Sequence, residues 1–281
     1  MPLMTQLRFG PPPERAFDIA ATAEQVEFFR ENGYLVVERI TTDEELEWLT
    51  KIFEAVFDEP SAATFDPGAE PGYDGPSLLT QSMFPELRFP EVMQSAYHRN
   101  ARRFASALLG LRSEQLTMWG HMIRKPPRKS LAAPWHQDEA YWEPELDYNA
   151  IGAWLPLHEV TVERGCMQFI PGSHKGDVHM HGHVGDPRGN LLVAAGVDEA
   201  KAVACPLPAG GATFHHPRTL HYTAPNVTDL PRLAYPIEFQ VHPTQRTSPA
   251  DRPWVYAFRE ASGSTGPTVY VADGKVVPVP V

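Results

Sequence analysis

The segment Trp135-His136-Gln137-Asp138 contains two residue types that bind metal ions. Side chains two positions apart in an extended strand face the same side, so His136 and Asp138 can share one ion. Two histidines and one carboxylate on one face of a metal, with the opposite positions open, are typical of non-haem iron(II) sites that activate oxygen. The His-x-Asp spacing is weak alone, since a chain of this composition produces it by chance roughly every second time. The third ligand therefore decides the interpretation.

Several histidines could be that third ligand: His174, His179, His181, His183, His215, His216, His221 and His242. His221 is the best placed, because it lies on a predicted strand, Thr219 to Thr223, that ends in a turn. The next strand begins near Arg232. Its planar guanidinium suits the distal carboxylate of 2-oxoglutarate bound at the metal. One hairpin would then supply both a metal ligand and an anion anchor.

The remaining histidines have simpler interpretations. His215 and His216 are adjacent and face opposite sides of a strand, so we expect one to be a hydrogen-bonded core residue and assign neither to iron. The run from His179 to His183 places three histidines on alternate positions, which also permits a second metal site. Its glycine and flanking turn residues favour a mobile loop.

The elements that position these residues follow an order of helices first and strands second. Capping residues and apolar spacing predict three helices and one strand before residue 110: a helix after Thr22 that ends at Gly33, a strand at Tyr34–Val37, a helix after Thr42, and a helix at about Pro90–Leu109. The Pro- and Gly-rich connection at residues 61–90 is predicted to be a lid loop.

Short alternating runs after residue 115 predict strands. They are Leu116–Arg124, Ala150–Leu157, Met167–Ile170, Ala202–Leu207, Ala212–His216, Thr219–Thr223 and Leu233–Val241. This order predicts a mainly β fold with flanking helices, an antiparallel jelly roll. We expect one domain over residues 1–281, with tails at 1–13 and about 262–281, a helical flank at 22–109 and a β core at 115–241.

Composition limits the partners. The net charge of −11 disfavours nucleic acid and anionic membranes, and no apolar stretch is long enough to span a bilayer. The two cysteines, Cys166 and Cys205, lack the spacing of a zinc or disulfide framework, so we expect reduced thiols and a cytoplasmic location. A small molecule is the expected partner, and a monomer and a dimer are both open.

The sequence resembles the phytanoyl-CoA dioxygenase family from about Val26 to Val241. The resemblance is carried by these stretches: Phe29-Arg30-Glu31-Asn32-Gly33-Tyr34, Lys125-Pro126-Pro127 before the His-x-Asp segment, Gly165-Cys166, Pro171-Gly172-Ser173-His174-Lys175-Gly176, and Phe214-His215-His216-Pro217 to His221 with Arg232 following. One departure is Arg164, where members of the family usually carry Asn; it could alter that turn or touch the substrate.

The resemblance implies a double-stranded β-helix that binds Fe(II) and uses 2-oxoglutarate and O2 as co-substrates. His136, Asp138 and His221 would bind the metal, and Arg232 with Thr223 would bind the far carboxylate of 2-oxoglutarate. Gln137 and Trp154 would line the same pocket. The expected reaction is hydroxylation of an unactivated C–H bond with release of succinate and CO2. Asp138 disfavours halogenation, which in related enzymes needs a small residue there.

The substrate and the alternatives stay open. A small, largely apolar metabolite or carboxylic acid is favoured over an acyl-CoA, because a CoA handle would require Arg124, Lys125, Arg128 and Lys129 to form a basic clamp. Tyr141 and Trp142 are either core aromatics or walls of the substrate site. Desaturation or cyclisation, a non-catalytic binding relative, and a metalloenzyme that does not use 2-oxoglutarate also remain open.

Overall fold

The computed structural model describes residues 8–13, 17–69, 74–189, 191–264 and 269–278. The α-helices among them are α1 (Ala23–Asn32), α2 (Asp43–Asp58), α3 (Ala96–Leu109) and α4 (Pro253–Ser262). Thr22 and Gln25 form a reciprocal capping box at the start of α1, as the sequence predicts. Gly33 ends this helix at φ 78°, and a Cβ there would approach the side chain of His174 to 2.3 Å. A glycine is therefore required where α1 meets the β core.

The strands are β1 (Tyr34–Val37), β2 (Thr64–Phe65), β3 (Thr80–Met83), β4 (Thr117–Lys125), β5 (Ala133–His136), β6 (Leu146–Asp147), β7 (Ala150–Pro156), β8 (Met167–Phe169), β9 (His181–His183), β10 (Leu192–Ala194), β11 (Val203–Cys205), β12 (Ala212–His215), β13 (His221–Thr223), β14 (Arg232–Gln240), β15 (Thr244–Gln245), β16 (Val269–Ala272) and β17 (Lys275–Pro278). The predicted strands after residue 115 all contain an observed strand, with bounds that differ by one to a few residues.

Two sheets form the body of the molecule. The larger has seven strands in the order β1-β12-β7-β14-β4-β3-β2, and the smaller has four in the order β11-β8-β13-β5. All of their pairings are antiparallel, and side chains from both sheets line one cavity. This arrangement, mainly β with flanking helices, confirms the predicted jelly-roll class.

The two faces of the larger sheet have different roles. Tyr235, Ile237 and Phe239 on β14 point away from the cavity and join the main apolar core, which α2 and α3 cover. Tyr97 of α3 donates a hydrogen bond from its hydroxyl to the carbonyl oxygen of Tyr235 at 2.9 Å. The alternate residues of β14, including Arg232, face the cavity. The helices thus support the sheet from behind and leave its inner face free.

The structure differs from the predicted elements in three places. The predicted helix at Pro90–Leu109 is interrupted, because Ser95 has extended backbone and caps α3, and the preceding turn at Pro90–Gln94 is 3-10 helical. The expected lid loop contains β3, which pairs with β4. The expected histidine-rich loop contains β9, which pairs with β10. Strands β3, β9 and β10 have three or four residues each, too few for an alternating pattern to show in the sequence.

The segment expected to be a C-terminal tail also contains structure. Strands β16 and β17 form a hairpin, and the backbone N–H of Asp273 donates to the carbonyl oxygen of Met118 at 2.8 Å. The carboxylate of Asp273 pairs with Arg102 of α3 at 2.6 Å. The hairpin is therefore attached to the body beside β4.

Candidate active site

Three of the predicted site residues meet at one end of the cavity. His136 ends β5 and His221 begins β13, and the two strands pair with these residues opposite each other. Asp138 Oδ1 lies 3.7 Å from His136 Nε2 and 3.4 Å from His221 Nε2. Among the residues that the structure describes, these three form the one group of His, Cys or acidic side chains close enough to hold a metal ion. The sequence prediction brought together the same three.

Backbone carbonyls orient both imidazoles. His136 Nδ1 donates to the carbonyl oxygen of Pro134 at 2.6 Å, and His221 Nδ1 donates to that of Thr219 at 2.8 Å. Each ring therefore turns Nε2, the nitrogen that would bind a metal, toward the carboxylate.

Protonation at this cluster also suits a metal. Burial, assisted by His221, lowers the pKa of His136 to about 3, so this imidazole is neutral. Burial raises the pKa of Asp138, but the neighbouring His221 and His215 outweigh burial and hold it well below its usual range. Burial lowers the pKa of His221, and Asp138 more than reverses this. A divalent cation would replace the proton shared by this last pair.

Arg232 lies at the start of β14 and is 1% exposed. Its guanidinium lies over the ring of Trp154 at 5.5 Å, and burial lowers its pKa to about 9. Within the described chain, neither Nε nor Nη1 of Arg232 has a hydrogen-bond partner. A buried cation with two unused N–H groups needs an anion, so the residue fits the distal carboxylate of 2-oxoglutarate.

Thr223 lies beside Arg232 in the cavity wall and is held by a residue that the sequence analysis placed elsewhere. Lys125 Nζ donates to Thr223 Oγ1 at 2.8 Å, to the carbonyl oxygen of Thr223 at 2.9 Å and to that of Ala224 at 2.8 Å. Lys125 is fully buried and pairs with Arg232 across β4 and β14. It therefore fixes Thr223 and the cavity wall near Arg232.

The basic clamp considered for CoA does not form. Lys125 is buried, whereas Arg124 packs its guanidinium on the ring of Phe57 at 4.8 Å and Arg128 pairs with Asp229. Arg124 and Lys125 are adjacent on β4 and point to opposite faces of the sheet, so these two cannot contribute to one surface.

Of the two other predicted pocket residues, Trp154 lines the cavity and Gln137 does not. Gln137 is fully buried, and its side chain bridges two backbone groups: it donates to the carbonyl oxygen of Arg218 at 2.7 Å and accepts from the N–H of His179 at 2.7 Å. Its position between His136 and Asp138 turns it to the opposite side. Gln137 is therefore a positioning residue.

The other histidines expected outside the metal set have structural partners. Nε2 of His181 accepts from the backbone N–H of Gln137 at 3.3 Å, and Nε2 of His183 donates to the carbonyl oxygen of Trp254 at 2.9 Å. His179 donates from Nδ1 to the carbonyl oxygen of Ala195 at 3.0 Å. These contacts hold β9 against the metal-binding segment.

Arg164, the departure from the family pattern, does not line the cavity. It donates to the carbonyl oxygens of Glu159 at 3.2 Å and Pro231 at 2.7 Å. Arg164 thus holds the residue immediately before Arg232.

Three residues that the sequence analysis did not assign to the site line the cavity: His121, His215 and Glu238. His215 Nε2 lies 2.8 Å from Asp138 Oδ2 and orients the carboxylate, a role that the sequence analysis did not assign to it. Only the pairing of β12 beside β7 brings His215 to the metal end, and no short motif encodes that register.

Glu139 anchors the turn that presents Asp138. This carboxylate is 2% exposed and accepts from Arg218 at 2.6 and 3.1 Å and from Arg252 at 2.6 Å. Burial raises the pKa of Glu139, but the arginines outweigh burial and lower it. The ionised form is therefore fully hydrogen-bonded.

The cavity has a volume of about 290 Å³ and mainly apolar walls. Tyr141 and Trp142 both contribute to it, and the ring of Tyr141 meets His136 edge-on at 5.6 Å. Further wall residues come from the predicted lid and from β3 and β4: Phe65, Pro67, Leu79, Gln81, Met83, Trp119 and Ile123.

Within the described residues, no helix is long and apolar enough to cross a membrane.

A jelly roll that joins a two-histidine, one-carboxylate cluster to a buried arginine defines a class, the iron(II)- and 2-oxoglutarate-dependent oxygenases. The sequence model described as "Phytanoyl-CoA dioxygenase (PhyH)" matches residues 29–234, and the chain belongs to this family. The resemblance, enzyme class and cofactors expected from the sequence, Fe(II) and 2-oxoglutarate, are thereby confirmed.

Three relatives illustrate the range of the family. EvdO2 of Micromonospora carbonacea var. aurantiaca, solved with 2-oxoglutarate, is 37% identical with a TM-score of 0.75, over 85% of this chain and 99% of that one. SnoK, a carbocyclase from nogalamycin biosynthesis, is 25% identical with a TM-score of 0.66, over 84% of this chain and 96% of that one. The peroxisomal phytanoyl-CoA dioxygenase of Mus musculus is 25% identical over 78% of this chain and 68% of its own length.

Proposed function

We propose that this dioxygenase hydroxylates an unactivated C–H bond of a small, largely apolar molecule, with release of succinate and CO2. The observation that carries the proposal is one cavity with two ends: the cluster of His136, Asp138 and His221, and the buried guanidinium of Arg232 with two unused N–H groups. Apolar walls between and beside them support a substrate of the same character.

Each protein group has a defined task in this proposal. His136, Asp138 and His221 hold iron(II), and Arg232 with Thr223 binds the far carboxylate of 2-oxoglutarate, while Trp154 supports the guanidinium. The bound iron and its co-substrates supply the oxidation itself. Tyr141 and Trp142 exclude water from the metal end.

Oxidation of a small molecule is favoured over an acyl-CoA substrate and over a non-catalytic role for this chain. An acyl-CoA substrate, as in the name of the mouse relative, lacks support because the basic clamp is absent among the described residues. The complete ligand set gives no reason to favour a non-catalytic binding role. Two buried, free cysteines fit the predicted cytoplasmic location.

Anaerobic addition of iron(II) and 2-oxoglutarate tests the site, since co-substrate chelated to iron gives a weak visible charge-transfer band. We expect the band in the wild type and its loss in His221→Ala. His179→Ala is the matched control, because it removes an imidazole that bonds a carbonyl outside the cluster and should leave the band intact. A metal-loaded wild type without the band would overturn the proposal. Succinate release over panels of acyl-CoAs, free acids and neutral alcohols then identifies the substrate.

A further inference from the structure

The cavity contains a carboxyl group that the proposed reaction does not use. Glu238 lies on β14 six positions after Arg232, on the same face, and lines the cavity. It is 7% exposed, and within the described chain its Oε1 has no hydrogen-bond partner. Burial, then the charge of Asp138, raises the pKa of Glu238 well above its usual range, so the group is a neutral acid. An unpaired buried polar atom of this kind costs about 1–3 kcal/mol, which indicates a role other than stability.

The position of Glu238 follows from the sheet register. His215, Gly152, Glu238 and Trp119 are successive partners on β12, β7, β14 and β4. A Cβ at Gly152 would lie 2.7 Å from His215 Nε2 and 3.2 Å from Glu238 Oε2. The missing side chain therefore creates the space between them. Since His215 contacts Asp138, Glu238 lies on the part of the cavity floor that borders the metal cluster.

His121 adds a second unused polar atom to this floor. It follows Trp119 on the same face of β4, and the two rings stack with centroids 5.8 Å apart. Among the described residues His121 Nδ1 has no hydrogen-bond partner, and burial lowers the pKa of this imidazole to about 4. The two atoms without a partner, Glu238 Oε1 and His121 Nδ1, can supply one donor and one acceptor between them, the complement of a hydroxyl group.

The charges around the floor disfavour an anionic ligand. Arg232 is the one lysine or arginine among the described residues that line the cavity, and the co-substrate occupies it in the proposed function. A substrate carboxylate would meet no free cation there, whereas an uncharged hydroxyl meets two partners.

We infer that Glu238 and His121 form a subsite that binds a hydroxyl group of the substrate, so the substrate is an uncharged, hydroxyl-bearing molecule with an apolar body. This inference rests on the proposed function and narrows the predicted substrate classes, since it excludes carboxylic acids and acyl-CoAs. The hydroxyl would orient the apolar body against Trp119 and select which carbon faces the metal.

Matched small probes test the subsite without turnover. Zinc(II)-loaded protein with 2-oxoglutarate is titrated with 4-tert-butylcyclohexanol, its methyl ether and 4-tert-butylcyclohexanecarboxylate, and binding is measured by saturation-transfer NMR. We expect the alcohol to bind about tenfold more tightly than either analogue. Glu238→Leu should remove this preference, because breaking one buried neutral hydrogen bond costs about tenfold in affinity. Glu238→Gln, which keeps a donor and an acceptor, should retain it.

Two controls separate recognition from structure. Glu91→Leu removes a buried acid outside the cavity, where it accepts from the backbone N–H of Phe9 at 2.9 Å, and the alcohol affinity should not change. Glu238→Leu should raise the melting temperature of the ligand-free protein, whereas a structural role for Glu238 would lower it. Failure of the alcohol to bind, equal or tighter binding of the carboxylate, or full affinity in Glu238→Leu would each overturn the inference.

The proposed function is tested separately. The charge-transfer band is measured on the wild type and Glu238→Leu, and both should show it. Its presence with no preference for the alcohol would overturn the subsite alone. Its absence from the wild type would overturn the proposed function whichever probe binds.

Discussion

Replacing Arg232 with methionine should have opposite effects on stability and on co-substrate binding. The guanidinium is 1% exposed, two of its N–H groups are unpaired in the described chain, and burial lowers its pKa to about 9. Methionine has a similar length and no desolvation penalty. Replacing a poorly compensated buried ion with an apolar residue stabilises a protein by about 1 kcal/mol or more. The ligand-free variant should therefore melt about 2–4 °C higher.

The same change should weaken 2-oxoglutarate binding severely. A buried charge-assisted contact between a guanidinium and a carboxylate contributes about 2–4 kcal/mol when one partner is removed. This corresponds to a dissociation constant about 30- to 900-fold higher. At a 2-oxoglutarate concentration 100 times the wild-type dissociation constant, the co-substrate stabilises the wild type by about 2.7 kcal/mol. A variant with 100-fold weaker binding retains about 0.4 kcal/mol of this.

Two measurements on one preparation check this prediction: titration of the charge-transfer band with 2-oxoglutarate, and thermal melting with and without it. Arg124→Met is the matched control, because Arg124 lies beside Lys125 on β4 but packs on Phe57 outside the cavity. It should leave the 2-oxoglutarate affinity within about twofold of the wild type. If Arg232→Met bound 2-oxoglutarate normally, or melted lower without ligand, Arg232 would be a structural cation and the co-substrate site would lie elsewhere.

Three further changes test the supporting residues. His215→Ala should weaken iron(II) binding about 10- to 100-fold in a chelator competition, because the metal carboxylate loses its hydrogen-bond partner; unchanged affinity would show that the carboxylate is oriented otherwise. Glu139→Gln should lower the free energy of unfolding by about 3–5 kcal/mol in urea, because buried arginines lose their counter-charge; a loss below about 1 kcal/mol contradicts this. Burial lowers the pKa of His98 to about 3. Below pH 6.5 this imidazole therefore binds a proton in the unfolded chain but not in the folded one, and the free energy of unfolding falls as the pH drops toward 3. His98→Gln should shrink the loss between pH 7 and 5 by about 2 kcal/mol, and an unchanged pH profile would argue against this cause.

The sequence predicted those parts of the fold that have strong local signals. The capping residues of α1 and α2, the alternation in the long strands β4 and β14 and the continuous apolar run of β7 determine these elements almost alone. The short strands β2, β3 and β9 lie in segments that the sequence predicts to be loops, because pairing with a neighbour rather than local preference makes them extended. The lid therefore appeared less ordered than it is.

The site residues also divide into those that a local sequence pattern predicts and those that only strand pairing brings together. His136, Asp138 and His221 could be named because their spacing and the following arginine form a recognisable pattern. Lys125, His215 and Glu238 carry no such pattern. The register of strands distant in sequence brings His215 and Glu238 to the cavity, and it brings Lys125 to Thr223 in the cavity wall. Gln137 was misassigned for the converse reason: it lies within the motif, but alternation turns it away from the cavity.

Segments that are far apart in the sequence meet in this fold, and this affects the order of folding. Thr219 Oγ1 bonds the carbonyl oxygen of Gly33, 186 residues earlier, and β1 closes the edge of the large sheet against β12. Contacts between such distant segments form slowly, because the long loop must close before any of them contributes. During synthesis on the ribosome, the imidazoles of His136 and His221 cannot meet until the segments that carry them have both emerged. Iron should accordingly slow unfolding of the finished protein without accelerating its folding.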